Sequence, residues 1–250
     1  KIFALCLVLF SVATSPLWAI DTIVTVRAKA HDAKFIGSSM GGVSVTIRAN
    51  DSNQILAQGM ITGGTGDTEI LINQPISRNQ HISQGGAAAF TTTLDLSEPT
   101  NVNIVVEGPL VGGTSATKQT KSIWLIPGHH MDGDGIIFEF YGLVVQPNSP
   151  LPNQSFKVGQ SISLTTFVTM MCGCPIQKDS LWPSDQFSVE AWLIHDSGAS
   201  WRINLPFTGE TGIFGASWVV QKPGKYRIVF SAAQDLQKNY SVAYSGFAAK

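Results

Sequence analysis

Apolar and polar residues alternate along most of this chain, and almost nowhere do apolar residues recur at helical spacing. In Val43-Ser-Val-Thr-Ile47, Val43, Val45 and Ile47 share one face while Ser44 and Thr46 take the other; Thr91–Leu96 and Asn101–Val106 repeat the pattern. A period of two is that of a β-strand with one face buried. The same reading places strands at Thr22–Ala28, Gln54–Ile61, Thr68–Ile72, Thr117–Ile126 and Ile136–Val145. Later in the chain it places them at Ser161–Thr169, Gln186–His195, Ser200–Phe207, Phe214–Val220, Gly224–Ala232 and Tyr240–Phe247. Polar, glycine-rich turns such as Gly63-Gly-Thr-Gly-Asp67 separate them. Short strands at this spacing predict an all-β chain of antiparallel sandwiches.

Proline punctuates the pattern. Pro147-Asn-Ser-Pro-Leu-Pro152 carries three prolines in six residues, which cannot donate to a sheet ladder, and reads as a linker over 147–153. It divides the chain into a β-sandwich at 20–146 and a second sandwich at 154–250, each of ordinary domain size. Before them, Lys1 leads an apolar run, Ile2 to Val12, that ends in small residues at Ala19. A basic start, a short apolar stretch and a small residue describe a secretory signal over 1–19, removed with Cys6 inside it or retained as an anchor. No later stretch is apolar and long enough to span a bilayer, so the expected location is periplasmic or secreted.

Composition narrows the function. Sixteen Lys+Arg stand against 17 Asp+Glu, a net charge of −1, which excludes the broad basic footprint of a nucleic-acid binder. Only 13% of residues are charged, against roughly 25% in ordinary globular chains, while 44% are hydrophobic. Disorder is therefore not expected. No Gly-x-Ser-x-Gly elbow, Walker loop or His-Glu-x-x-His occurs.

Two stretches resemble known sandwich families. Lys222-Pro-Gly-Lys-Tyr-Arg-Ile-Val-Phe230 resembles the turn and late strand of immunoglobulin-like domains, which implies that Tyr226 points inward and that its hydroxyl finds a backbone partner. Gly42–Arg48, the polar hairpin Asn-Asp-Ser-Asn-Gln54 and Ile55–Gly59, with the following Gly63–Asp67 loop, resemble transthyretin-like or carboxypeptidase-regulatory-like sandwiches. Both resemblances imply architecture and carry no activity.

Chemistry-bearing residues gather at two places. Met170-Met-Cys-Gly-Cys-Pro-Ile176 holds the two cysteines left after signal removal. In an oxidising compartment Cys172 and Cys174 suit a tight disulfide, with Gly173 supplying backbone freedom. As thiolates with Met170 or Met171 they suit Cu(I), and as a free dithiol they suit redox exchange. Pro127-Gly-His-His-Met-Asp-Gly-Asp-Gly135 offers His129 and His130 to copper or zinc, whereas Asp132 and Asp134 resemble half of a calcium loop. The bland alternative is a solvated hairpin chosen for turn geometry. His195 beside Asp196 is one more candidate ligand, and Trp182, Trp192, Trp201 and Trp218 are expected to build the core of the second domain.

The leading expectation is a non-enzymatic binding or accessory protein with a protein partner in the cell envelope or outside the cell. Three rivals stand beside it: a copper-handling protein, a thiol–disulfide protein, and a subunit of an envelope assembly or adhesin.

Overall fold

The computed structural model describes residues 18–84 and 86–250. The expected signal falls almost wholly outside the described residues, as does Cys6. The first half contains strands β1 (Ile20–Ala30), β2 (Val43–Ala49), β3 (Ile55–Ile61), β4 (Phe90–Leu96), β5 (Thr100–Gly108), β6 (Thr117–Leu125) and β7 (Met131–Phe140). The second half contains β8 (Leu143–Ser149), β9 (Ser155–Phe156), β10 (Ser161–Met170), β11 (Ser188–His195), β12 (Ser200–Asn204), β13 (Ile213–Val219), β14 (Gly224–Gln234) and β15 (Asn239–Ala249). The chain is all-β, as its alternation predicts.

Each half pairs two sheets. In the first, β4-β1-β7 faces β3-β2-β5-β6; in the second, β13-β10-β8 faces β12-β11-β14-β15-β9. Alternation becomes burial directly: Val43, Val45 and Ile47 of β2 are at most 2% exposed and belong to the same buried core as Val24, Val26 and Phe138. Most pairs are antiparallel, but β1 runs parallel to β7 and β15 parallel to β9.

Three expectations about the chain's course need correction. Thr68–Ile72 is not a strand: Glu69–Asn73 forms a π-helical turn. The cause is Asp67, whose Oδ1 accepts the backbone N–H groups of Glu69 and Ile70 and caps the turn, while Leu71 is buried beneath it. Ile136–Val145 is not one strand either. It breaks at Tyr141-Gly142, where the chain passes from the sheet of β7 to that of β8. Finally, Pro147–Ser149 is strand rather than linker, since β8 continues to Ser149 and pairs with β10. Proline is tolerated there because β8 is an edge strand and its register shifts opposite Thr165 and Thr166.

The halves are bonded through buried polar groups. Trp182 Nε1 donates to the Asp32 carbonyl at 2.9 Å, the Asn239 side-chain amide donates to the His31 carbonyl at 3.2 Å, and Gly142 N donates to Asn239 Oδ1 at 2.9 Å.

Candidate functional site

The cysteine segment turns the chain out of β10. Gly173 N donates to the Met170 carbonyl, and Thr169 Oγ1 and Met170 N both donate to the Cys174 carbonyl. Cys172 and Cys174 are joined as a disulfide. Gly173 has φ +79°, a conformation that favours glycine, and a Cβ there would lie 2.7 Å from Met40 Sδ, so the ring packs against the first half of the chain. Met170 and Met171 are buried, Met171 against the Gly142 crossing. Both sulfurs are bonded to each other, so thiolate chemistry first requires their reduction.

His129 and His130 lie elsewhere. His130 Nδ1 accepts the N–H of Ile23, near the start of β1, whereas the cysteine turn packs against Met40, which follows the other end of β1 at Ala30. Seven residues of strand separate Ile23 from Ala30, or ~23 Å. The structure does not bring the histidines to the sulfurs. Among the described residues, no group of three or more His, Cys, Asp or Glu is placed to hold a metal ion. His195 is buried as well: Nε2 donates to the Pro223 carbonyl at 3.0 Å and Nδ1 accepts from Ser197, so the ring ties two turns together.

Asp132 and Asp134 lie not on a solvated hairpin, the bland alternative, but in a bulge inside β7. Val24 pairs with Met131 and Val26 with Ile136, so β7 spends five steps where β1 spends two. The bulge aims Asp134 at the 81–83 segment. Its carboxylate accepts Ile82 N, Ser83 N and Ser83 Oγ. Burial alone raises this carboxyl, but those hydrogen bonds and the nearby His81 together bring it below the usual carboxylate range. The carboxylate is thus engaged by donors, and Asp132 stays exposed. The sign follows. A depressed carboxyl contributes stability above its unfolded value, and that stability is lost as pH falls through the folded value. Asp134→Ala is expected to cost about 1–2 kcal/mol at neutral pH, to flatten the acid limb of the stability profile, and to speed hydrogen exchange at Ile82 and Ser83. Unchanged exchange at both amides contradicts this role.

Sequence reasoning missed the outer face of the five-stranded sheet. Arg202, Trp192, Val229 and Tyr244 stand in one row across β12, β11, β14 and β15. Tyr240 and Val242 continue along β15, and these large side chains stay open, Trp192 39%, Tyr240 51% and Tyr244 54% exposed. Trp192 is held in place: Nε1 donates to Ser231 Oγ at 3.1 Å and the Arg202 guanidinium lies 4.7 Å from its ring, itself bound through two nitrogens to Glu190 at 2.6 and 2.8 Å. Contrary to expectation, Trp192 is not core, although Trp182 and Trp218 are. Parity would have revealed it, because Val189, Ala191 and Leu193 face inward and Trp192 falls between them.

A groove of about 580 Å³ borders this face. Its floor is Gly246 and Ala248, with Tyr244, Pro152, Lys225 and Arg227 around it. A Cβ at Gly246 would lie 2.6 Å from the Tyr226 carbonyl, so the floor is bare backbone.

No family model matches the chain, and no curated protein matches it. Solved structures do. The fibronectin(III)-like modules of Clostridium thermocellum CbhA are 10% identical over 92% of this chain and 94% of theirs, with a TM-score of 0.31. Dpr11 IG1 bound to DIP-gamma IG+IG2 gives 8% identity over 92% of this chain and 98% of that one, with a TM-score of 0.26. Titin domains z1z2 in complex with telethonin give 12% over 93% and 96%, with a TM-score of 0.25. These are likenesses between β-sandwich modules, and nothing about ligand or partner passes from them to this chain.

Proposed function

We propose that the chain is a non-enzymatic binding or accessory protein of an extracytoplasmic compartment, and that it holds a protein partner on the outer face of its five-stranded sheet. The observation that carries this reading is the ordered, exposed row of Arg202, Trp192 and Tyr244 with Tyr240 and Val242 beside it. Tryptophan, tyrosine and arginine are the residues that dominate binding energy at protein interfaces. They do so best when their rotamers are fixed beforehand, as Ser231, Arg202 and Glu190 fix Trp192. The Cys172–Cys174 bond and the signal-like start of the chain support the compartment.

The test compares three purified chains as bait against a native extract: wild type, Trp192→Glu/Tyr240→Glu, and Trp124→Glu, a control at an exposed tryptophan of the first half. A discrete protein retained by wild type and by the control, and lost by the double variant, is the expected result. A set of captured proteins that is identical for all three baits overturns the reading.

A further inference from the structure

The near-neutral charge of the whole chain hides a local imbalance at the groove. Lys225 and Arg227 are the outward members of β14, alternating with buried Tyr226 and Ile228. Two more cations lie on flanking segments. Lys222 lies on the turn into β14, and Lys157 follows β9, which pairs at Ala248 and Ala249 with the end of β15. All four are exposed, and among the described residues none is within ion-pair distance of a carboxylate. The carboxylate bonded at this end is Asp196, which accepts the backbone N–H of Lys225 and lies 3.2 Å from His195 Nδ1. Alternation in the sequence places Lys225 and Arg227 on one face, but not the β15 backbone that lies beside them.

The groove also has a direction. Its floor, Gly246 and Ala248, follows β15, and Lys225 and Arg227 flank it from the neighbouring strand in the same register, Ala248 opposite Lys225 and Gly246 opposite Arg227. Two residues of strand separate the cations by ~6.6 Å, which is also the repeat of every second side chain in an extended peptide. We propose that this groove seats an extended acidic segment of the partner, with carboxylates at alternate positions meeting Lys225 and Arg227 and an apolar side chain resting on Tyr244. This assignment rests on the reading of the adjoining face as protein-binding. Charge complementarity selects the segment's sign, and the bare Gly246 backbone gives an extended chain room to approach.

The experiment titrates the full chain into a short fluorescein-labelled peptide of alternating Glu and Thr and follows anisotropy. Parallel titrations use the corresponding Lys–Thr peptide and a fluorescein-labelled oligogalacturonate. Expected are saturable binding of the acidic peptide, weakening as salt is raised, and no binding of the basic one. In Lys225→Glu/Arg227→Glu the affinity for the acidic peptide is expected to fall at least tenfold. Lys225→Gln/Arg227→Gln repeats the measurement without charge reversal and guards against misfolding, which near-ultraviolet circular dichroism monitors. Unchanged affinity in both variants, or equal binding of both peptides, overturns the proposal. Preference for the oligogalacturonate over the acidic peptide overturns it too and assigns the groove to an acidic glycan. Should Trp192→Glu/Tyr240→Glu lose the captured partner while Lys225→Gln/Arg227→Gln keeps it, the protein-binding face stands and the groove's assignment alone fails.

Discussion

Tyr226→Ala is expected to destabilise the protein by about 3–5 kcal/mol, the range for deleting a fully buried aromatic, and Tyr226→Phe by only about 1 kcal/mol. The ring is the hub of the second half's aromatic core. It stacks on Phe247 at 4.6 Å and meets His195, Trp218 and Trp201 at 4.8, 5.7 and 5.9 Å. Alanine leaves a cavity bordered by four rings, each fixed by its own strand, so collapse around the hole is limited. Phenylalanine keeps the packing and removes only the two bonds that the hydroxyl makes, donating to the Lys222 carbonyl and accepting the Lys222 N–H, both at 2.9 Å. Lys222 is an exposed residue and these bonds are only part-buried, so water can take over from the hydroxyl, which is why the second cost stays small. Urea unfolding of both variants checks the ranking. A phenylalanine variant as unstable as the alanine variant would show that the hydroxyl, not the ring, holds this end together.

Tyr226 is also where the sequence was most legible. The Pro-Gly turn before an alternating run implied an inward tyrosine with a backbone partner, and the structure places it so. Strand existence was readable throughout for the same reason: burial with a period of two leaves a trace in every strand. What local pattern could not show was how distant strands combine. Where the chain changes sheets, at Tyr141-Gly142, the Gly142 N–H is taken by Asn239, 97 residues later. Asp134 resembled a calcium ligand because its hydrogen-bond donors lie some 50 positions back, at Ile82 and Ser83. The groove required β14 and β15 to pair so that Lys225 and Arg227 stand opposite Ala248 and Gly246. Asn239 sits in an Asn-x-Ser sequon, yet it is wholly buried and cannot carry a glycan in the folded chain.

Asn239 carries the second large expectation. Its Oδ1 takes the Gly142 N–H, and its amide donates both to the His31 carbonyl and to Gln234 Oε1, the latter at 2.9 Å. Gln234, also buried, donates in turn to Asp32 Oδ2 at 3.4 Å. Replacing Asn239 with leucine, similar in volume, leaves three groups without partners, the Gly142 N–H and Gln234 Oε1 in buried positions and the His31 carbonyl in a half-buried one. Unmade buried hydrogen bonds cost about 1–3 kcal/mol each, so Asn239→Leu is expected to lose at least about 3 kcal/mol in urea unfolding and to expose the Gly142 amide to rapid exchange. A loss near zero would mean that packing alone joins the halves. Asp32 tests the same network with the opposite sign. Burial, its dominant influence, raises the Asp32 carboxyl against the opposing pull of Gln234, His31 and Lys29. The folded state therefore binds the proton more tightly than the unfolded chain, and stability declines as pH rises from the unfolded value through the folded one. Asp32→Asn removes the charge but keeps a hydrogen-bond acceptor for Gln234. Asparagine also tolerates the left-handed backbone found there, φ +54°. The variant should match wild type in acid and exceed it at neutral pH, and a variant weaker than wild type at neutral pH would mean that the Asp32 charge holds the junction.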